Sequence, residues 1–117
     1  MEKIKPNLLF IKSDQHSFRY LSHLGNHEVE TPNLDELARL GTTFTNVYCH
    51  SPICVPSRVA FLTGLMPSET EVWTNDQILN SAVPTYAHAL GAGGYKPVQI
   101  GRMHVNGLDQ YLSLIHI

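Results

Sequence analysis

The order of apolar and polar positions along the chain predicts short strands that alternate with helices. Residues 7–12 form an apolar run between a proline and a polar turn, which is typical of a buried strand in a parallel sheet. Residues 42–48 alternate between polar and apolar side chains and predict a second strand. Residues 95–100 predict a third strand, which ends at Gly101.

Helix signals fill the intervals between the predicted strands. Over residues 31–41, Thr31 suits the N-cap, Pro32 the first helical position and Gly41 the C-terminal stop. Two further helices that follow prolines are predicted over residues 56–64 and 84–94. This alternation favours an α/β domain with a mainly parallel sheet.

Polar clusters follow the predicted strands, where ligands bind in parallel α/β sheets. They comprise residues 13–16, 50–58 and 102–104. We therefore expect a functional site at this edge of the sheet.

Composition narrows the class of protein. The chain has 117 residues, of which 43% are hydrophobic and 15% are charged, as in a globular domain of ordinary size. A net charge of -2 argues against a nucleic-acid partner and against a polybasic membrane surface. The longest apolar run is too short to span a bilayer, and the first residues lack the apolar segment of a secretory signal. A cytoplasmic location is the default expectation.

The cysteines and an early carboxylate are the first candidates for chemistry. Cys49 and Cys54 are too few for a disulfide framework, and their spacing fits no common zinc site. Asp14 follows the first predicted strand and, with Gln15, offers oxygen atoms to a hard divalent cation. The alternative for Asp14 is a structural role as the cap of a turn or helix.

Cys54 lies just before the predicted helix that begins at Pro56. Backbone N–H groups and the helix dipole favour an anion at such a position. Arg58, one turn later, can bind a sulfate or phosphate with paired donors. For an isolated cysteine, a structural and buried role is the usual alternative.

The residues around Cys54 carry a resemblance to a known family. Cys54, Pro56, Ser57 and Arg58 resemble the sequence that is read by the enzymes that oxidise this cysteine to formylglycine in type I sulfatases. Segments 7–15, 31–34 and 101–104 extend the similarity over residues 7–110, and segments 84–88 and 101–104 are most similar to choline sulfatases and their relatives.

The resemblance implies a fold and a domain boundary. We expect an alkaline-phosphatase-like α/β/α sandwich with a mainly parallel sheet, of which residues 1–111 would form the N-terminal part. Residues 112–117 resemble the translation of a sequencing adapter and are expected to be a non-native tail; the alternative is a genuine apolar strand.

The resemblance also assigns roles around the nucleophile. Asp14 would bind a divalent cation, expected to be Ca²⁺ with Mn²⁺ or Mg²⁺ as alternatives, and Gln15 is an additional candidate ligand. Cys54, converted to formylglycine and hydrated to a gem-diol, would bind the same ion and attack sulfur. Arg58 would hold the diol, and Asn75 would donate to a sulfate oxygen.

Two further positions complete the expected site. Arg102 stands where most relatives have a lysine that contacts the sulfate and the leaving oxygen, and His104 would assist the diol or protonate the leaving group. Because arginine does not deprotonate, His104 is the better candidate acid. A second departure is Gln15, since many sulfatases have a second aspartate there.

The sequence thus predicts a sulfatase that acts on a small-molecule or saccharide sulfate ester. A formylglycine-generating enzyme or an anaerobic sulfatase-maturating enzyme would be its maturation partner. One alternative is a phosphonate or phosphate-ester hydrolase of the same superfamily, and another is a non-catalytic fragment or pseudo-enzyme with unmodified Cys54. Because sulfatases carry further metal ligands downstream, this chain by itself is expected to show no turnover.

The other histidines and the large aromatic residues are expected to be structural. This group contains His16, His23, His27, His50, His88, Trp73 and Tyr86. The alternative for His16 and His50, which lie near the proposed site in sequence, is that they line it. A cation–π contact with a choline-like ligand is the alternative for the two aromatic residues.

Overall fold

The computed structural model describes residues 5–102, 104 and 105, and the backbone of residues 115 and 116. The chain divides into two compact units, residues 1–46 and residues 47–117. The helices are α1 (Pro32–Leu40), α2 (Cys54–Thr63), α3 (Pro67–Thr70) and α4 (Tyr86–Ala92), with 3-10 helices at Phe18–Tyr20 and Ser22–Leu24. Strand β1 (Val98–Gln99) pairs in parallel with β2 (Ile115–His116). None of the described helices is long and apolar enough to cross a membrane.

Helix α1 of the first unit confirms the prediction for residues 31–41. Pro32 opens the helix, and the Gly41 N–H closes it by donating to the Leu37 carbonyl at 3.0 Å. Thr31 occupies the N-cap as expected, but its side chain makes no capping bond. Its hydroxyl instead donates to Asp35 Oδ1 at 3.0 Å.

Asp35 is the centre of a hydrogen-bond network that joins α1 to the 3-10 helix Ser22–Leu24. Its Oδ2 accepts from the Ser22 hydroxyl at 2.6 Å. Its Oδ1 lies 3.2 Å from both the backbone N and the Nδ1 of His23. These contacts, the Ser22 hydroxyl foremost, lower the pKa of Asp35 below its ordinary value.

The predicted strands over residues 7–12 and 42–48 are wrong for this chain. The structure assigns no strand to either segment, and their apolar side chains are exposed, Leu9 to 83% and Tyr48 to 86%. A strand is stable only when its backbone N–H and C=O groups pair with a neighbour. The described residues provide no such neighbour, so the apolar pattern is left without its sheet.

Helix α2 is the centre of the second unit. Val55 and Val59 on this helix are fully buried and form a cluster with Val72, against which Leu79 and Val105 pack. The helix begins at Cys54, two residues before the predicted start at Pro56.

The end of α2 confirms the prediction that it stops at Gly64. Gly64 adopts the left-handed conformation, with φ of 73°, and its N–H donates to the Ala60 carbonyl at 2.8 Å. The Thr63 hydroxyl donates to the Val59 carbonyl at 2.8 Å and accepts the Leu65 N–H at 3.1 Å. Both residues therefore terminate the helix.

The remaining predicted elements are present in shortened form. The helix predicted over residues 84–94 is α4, whose N-cap Thr85 is buried and bonded to His88 Nδ1 at 3.1 Å through its backbone N–H. The strand predicted over residues 95–100 is reduced to β1, with Val98 opposite Ile115 in a parallel register. The parallel direction agrees with the predicted sheet, although the described part of the chain is mostly helical.

Candidate active site

Cys54 is the first residue of α2 and is half-buried. Neither Cys54 nor the exposed Cys49 forms a disulfide. The residue before the helix, Ile53, provides no side-chain cap, and the first helical bond runs from Ser57 N to the Ile53 carbonyl at 2.9 Å. The placement of Cys54 at a helix N-terminus is thus confirmed.

Asn75 contacts the backbone beside Cys54. Its Oδ1 accepts the N–H of Val55 at 2.9 Å, across 20 residues of sequence. The sequence predicted that Asn75 would donate to a sulfate oxygen. With Oδ1 engaged by the helix, Asn75 can offer an anion only the donors of its Nδ2 group.

The turn that carries Asn75 is stabilised by three side chains that were not predicted to contribute, those of Thr74, Asp76 and Gln77. Gln77 Oε1 accepts the backbone N–H groups of Trp73 at 2.5 Å and Thr74 at 2.9 Å. The Thr74 hydroxyl donates to the Asp76 carboxylate and lowers the pKa of Asp76 below its ordinary value. The run of Thr, Asn, Asp and Gln is a turn signal that could have revealed these contacts.

Arg58 joins α2 to the segment after β1. Its Nη1 donates to the main-chain carbonyl of Arg102 at 2.8 Å. Arg58 and Arg102, which were predicted to act together, are therefore in contact, but the contact uses the main chain of Arg102. Arg102 itself is exposed. A guanidinium carries five N–H donors, and this bond uses one of them.

His104 lies in the same segment after β1 as Arg102 and has an unusual backbone conformation. Its φ is 48°, in the left-handed region, and the residue is half-buried. Its Nδ1 is shielded from solvent and finds no hydrogen-bond partner among the described residues. Such conformations and unsatisfied polar atoms are costly and tend to occur at functional sites. The following residue, Val105, packs on the α2 cluster and anchors the segment.

Asp14 and Gln15 lie in an exposed stretch of the first unit, where Gln15 has a φ of 55°. Carboxylate and amide oxygens suit a hard cation, which takes about six to eight oxygen ligands. The described residues nevertheless contain no group of three or more His, Cys, Asp or Glu side chains that could hold a metal ion. The described residues do not amount to a coordination set, and Asp14, Gln15 and Cys54 as ligands stay predictions.

Several of the residues expected to be structural make contacts within the chain. His88 is engaged with Thr85, and Tyr86 packs edge-to-face on Phe61 with ring centroids 5.6 Å apart. His16 Nε2 lies 3.4 Å from the Tyr20 carbonyl. The participation of His23 in the Asp35 network was not foreseen, because residues 12 positions apart show no sequence signal for contact.

A protein-family model described as "Sulfatase" matches residues 6–111. The chain belongs to the sulfatase family. It is 40% identical over 106 residues to the choline-sulfatase of Rhizobium meliloti strain 1021. The aligned residues cover 91% of this sulfatase chain and 21% of that protein. The resemblance stated from the motif around Cys54 is thereby confirmed.

Two solved structures resemble this sulfatase chain closely. A protein solved in complex with its substrate D-glucosamine-2-N,6-O-disulfate superposes with a TM-score of 0.88 and 29% identity, over 95% of this chain and 22% of that one. The phosphonate monoester hydrolase of Agrobacterium radiobacter gives a TM-score of 0.86 and 28% identity, over 96% and 25%. These neighbours confirm the alkaline-phosphatase-like α/β fold.

The chain spans about a fifth of the length of the curated relatives it matches. The family generally depends on formylglycine and on a divalent metal ion.

Proposed function

We propose that this chain contributes the nucleophile and part of the anion-binding side of an active site that hydrolyses a sulfate ester. The observation that supports it most is the start of α2. There Cys54 opens the helix, Asn75 bonds to the next peptide group, and Arg58 reaches the segment of Arg102 and His104. One folded unit thus holds five of the predicted site residues.

The charges of these residues suit a sulfate ester. The ester is an anion and gathers more negative charge as the sulfur–oxygen bond breaks, so cations and N–H donors lower the barrier. Arg58 and Arg102 supply guanidinium groups, and Asn75 supplies an amide group, to the side of the site that would meet the anion. A divalent cation, expected to be Ca²⁺ and held by Asp14 with Gln15 and Cys54, would add charge neutralisation when bound.

Conversion of Cys54 to formylglycine explains why a cysteine stands at this point. Hydrated formylglycine would supply one hydroxyl that attacks sulfur and a second whose deprotonation expels sulfate and regenerates the aldehyde. His104 would give the proton to the departing alcohol. Because its Nδ1 is enclosed, we assign that transfer to Nε2.

Co-expression with a formylglycine-generating enzyme tests the proposal on this chain. We expect the peptide that contains Cys54 to lose about 18 Da, the difference between a thiol and an aldehyde side chain. Cys49 has Ser51 and Ile53 at the two positions where Cys54 is followed by Pro56 and Arg58, so it should stay a thiol and serves as the internal control. A Cys54 peptide of unchanged mass would favour the pseudo-enzyme alternative.

A test of the substrate class requires a longer protein, because the chain covers only 21% of its choline-sulfatase relative. We suggest a chimera in which residues 6–105 replace the matching segment of the Rhizobium meliloti enzyme. Turnover of an aryl sulfate well above that of the paired aryl phosphonate monoester is expected.

The structural likeness to a phosphonate monoester hydrolase is the reason to keep the second candidate function. The opposite preference in the chimera would favour that alternative. The relatives include a choline-sulfatase and a protein whose substrate is D-glucosamine-2-N,6-O-disulfate, so choline sulfate and a glucosamine sulfate are the substrates to test next in the chimera.

A further inference from the structure

The sequence of α2 leaves few backbone donors at its start. Helix N-termini normally present several N–H groups without an intrahelical partner. Here Pro56 has no N–H, and Ser57 N already donates to the Ile53 carbonyl at 2.9 Å. Ile53 has no side-chain acceptor, so the N–H groups of Cys54 and Val55 depend on partners from outside the helix.

Asn75 satisfies the second of these donors. Its Oδ1 accepts from Val55 N at 2.9 Å. This N–H belongs to the peptide group that joins Cys54 to Val55. A bond that fixes this peptide plane restricts rotation about the Cα–C bond of Cys54 and thereby sets the direction in which the Cys54 side chain leaves the helix.

Both ends of the contact are anchored by the same apolar cluster. Val55 and Val59 of α2 are fully buried against Val72, which precedes the turn, and Leu79, which follows it. Gln77 Oε1 closes the turn by accepting two backbone N–H groups, from Trp73 and Thr74. The Asn75 carbonyl oxygen is therefore presented to α2 by a structured turn.

We propose that Asn75 is a positioning residue for Cys54, and that it acts through its Oδ1 on the peptide bond after the nucleophile. This inference rests on the proposed function, which makes Cys54 the nucleophile. It revises the expectation that the helix N-terminus binds the anion. Because Val55 N–H is engaged and Pro56 has none, the charge of a sulfate group must be met chiefly by side chains.

Hydrogen exchange of single amides in the unmodified chain tests the contact. Asn75→Ala should accelerate exchange at Val55 N–H by about fivefold or more, the effect of losing a helix cap, with a smaller change at Ser57 N–H. Asn75→Asp keeps an acceptor oxygen at the same position and should restore the slow exchange at Val55.

Asn80→Ala is the matched control, since Asn80 Oδ1 also accepts a backbone N–H, that of Ala82 at 2.9 Å, in the same unit. It should leave Val55 unchanged. Equal Val55 rates in the wild type and Asn75→Ala, or an Asn75→Asp rate that matches Asn75→Ala, would overturn the proposal.

The chemistry of the thiol gives a second readout that global stability does not explain. With Cys54 unmodified, the alkylation rate of Cys54 is measured relative to that of the exposed Cys49 by peptide mass. Asn75→Ala should raise this ratio about threefold or more, because the first turn of α2 loses its cap and exposes Cys54. Asn80→Ala should not raise it.

A ratio that both variants leave unchanged would also contradict the positioning role. Neither measurement involves formylglycine or sulfate ester turnover. A failure of Cys54 conversion would therefore count against the proposed function alone, whereas an insensitive Val55 amide would count against the positioning role alone.

Discussion

The two compact units of the chain are stabilised by different kinds of contact. In the second unit, Val55, Val59 and Val72 exclude water around α2. In the first unit, no described residue from 5 to 46 is buried, and the carboxylate of Asp35 accepts hydrogen bonds from Ser22, His23 and Thr31. A cluster of valines contains no group that titrates, whereas the network at Asp35 depends on a charge.

This difference bears on function, because the proposed nucleophile lies on the helix with the apolar core. A catalytic side chain works only when its supporting residues fix its direction. Val55 directly follows Cys54 and is fully buried, and Val105 ties the segment of His104 to the same cluster. The polar network in the first unit instead orders a surface segment between a 3-10 helix and α1.

Truncation of a core valine should give the largest effect. Val59→Ala removes two methyl groups from a fully buried position and should lower the free energy of unfolding of α2 by about 2 kcal/mol. The matched truncation in α1 is Leu37→Ala, at a residue that is 58% exposed, where we expect less than about 0.5 kcal/mol. Amide exchange in each helix measures both values, and equal losses would contradict the contrast.

The next largest effect is expected from acidification, which should destabilise the first unit through Asp35. The pKa of Asp35 is lowered in the folded state, chiefly by the Ser22 hydroxyl. Asp35 therefore stabilises the first unit fully above its ordinary pKa of 3.8, and this contribution is lost as the pH falls through the lowered value. Exchange at His23 N–H, which donates to Asp35, should accelerate over that range.

Asp35→Asn should remove this pH dependence. The amide retains one acceptor oxygen, but its NH₂ group faces hydroxyls that now donate to a carboxylate, so the network should be weaker at neutral pH. The expected result is fast and pH-independent exchange at His23 N–H, after correction for the intrinsic rate. A persistent acid transition in the variant would mean that another group is responsible.

The helices could be predicted from the sequence because their signals are local. Pro32 and Gly41 mark the ends of α1, and Gly64 marks the end of α2. Two of the three predicted strands could not, since a strand needs a partner that the local pattern does not supply, and the third is present only as Val98–Gln99. Residues 7–12 have the composition of a buried strand, yet Leu9 and Ile11 are more than four-fifths exposed at 83% and 81%.

In the candidate site, too, the arrangement along one helix could be predicted, whereas contacts between residues far apart in the sequence could not. The sequence predicted Cys54 at the start of the helix that carries Arg58, and the structure includes Cys54 in the first turn of that helix. That Asn75 would use its oxygen on Val55 could not be foreseen, because the choice between accepting and donating depends on a donor 20 residues away. The bond from Arg58 to the Arg102 carbonyl could not be predicted for the same reason, because the two residues are 44 positions apart.

Two glycines sharpen the contrast between helix ends and helix interiors. Gly64 has a φ of 73°, so Gly64→Ala should destabilise α2 by about 1 kcal/mol although the added methyl meets no atom within 4 Å. Gly91 lies inside α4, where a methyl group also has open space. Gly91→Ala should therefore stabilise α4 by about 0.5–1 kcal/mol. Denaturant titration should give opposite signs, and two changes of the same sign would contradict the assignment.

Removal of the Thr63 hydroxyl should have the smallest effect. This substitution tests whether the packing of the apolar core is sufficient by itself to end α2. Thr63→Val keeps the shape but removes the bonds to the Val59 carbonyl and the Leu65 N–H, so we expect a loss of about 0.5–1 kcal/mol and faster exchange at Leu65. Thr63→Ser retains the hydroxyl and should keep Leu65 protected. If valine protects Leu65 as well as serine does, the packing of Val59 suffices to end the helix. If only serine does, the Thr63–Gly64 pair that follows the cysteine motif has a structural role in terminating α2, separate from the chemistry of Cys54.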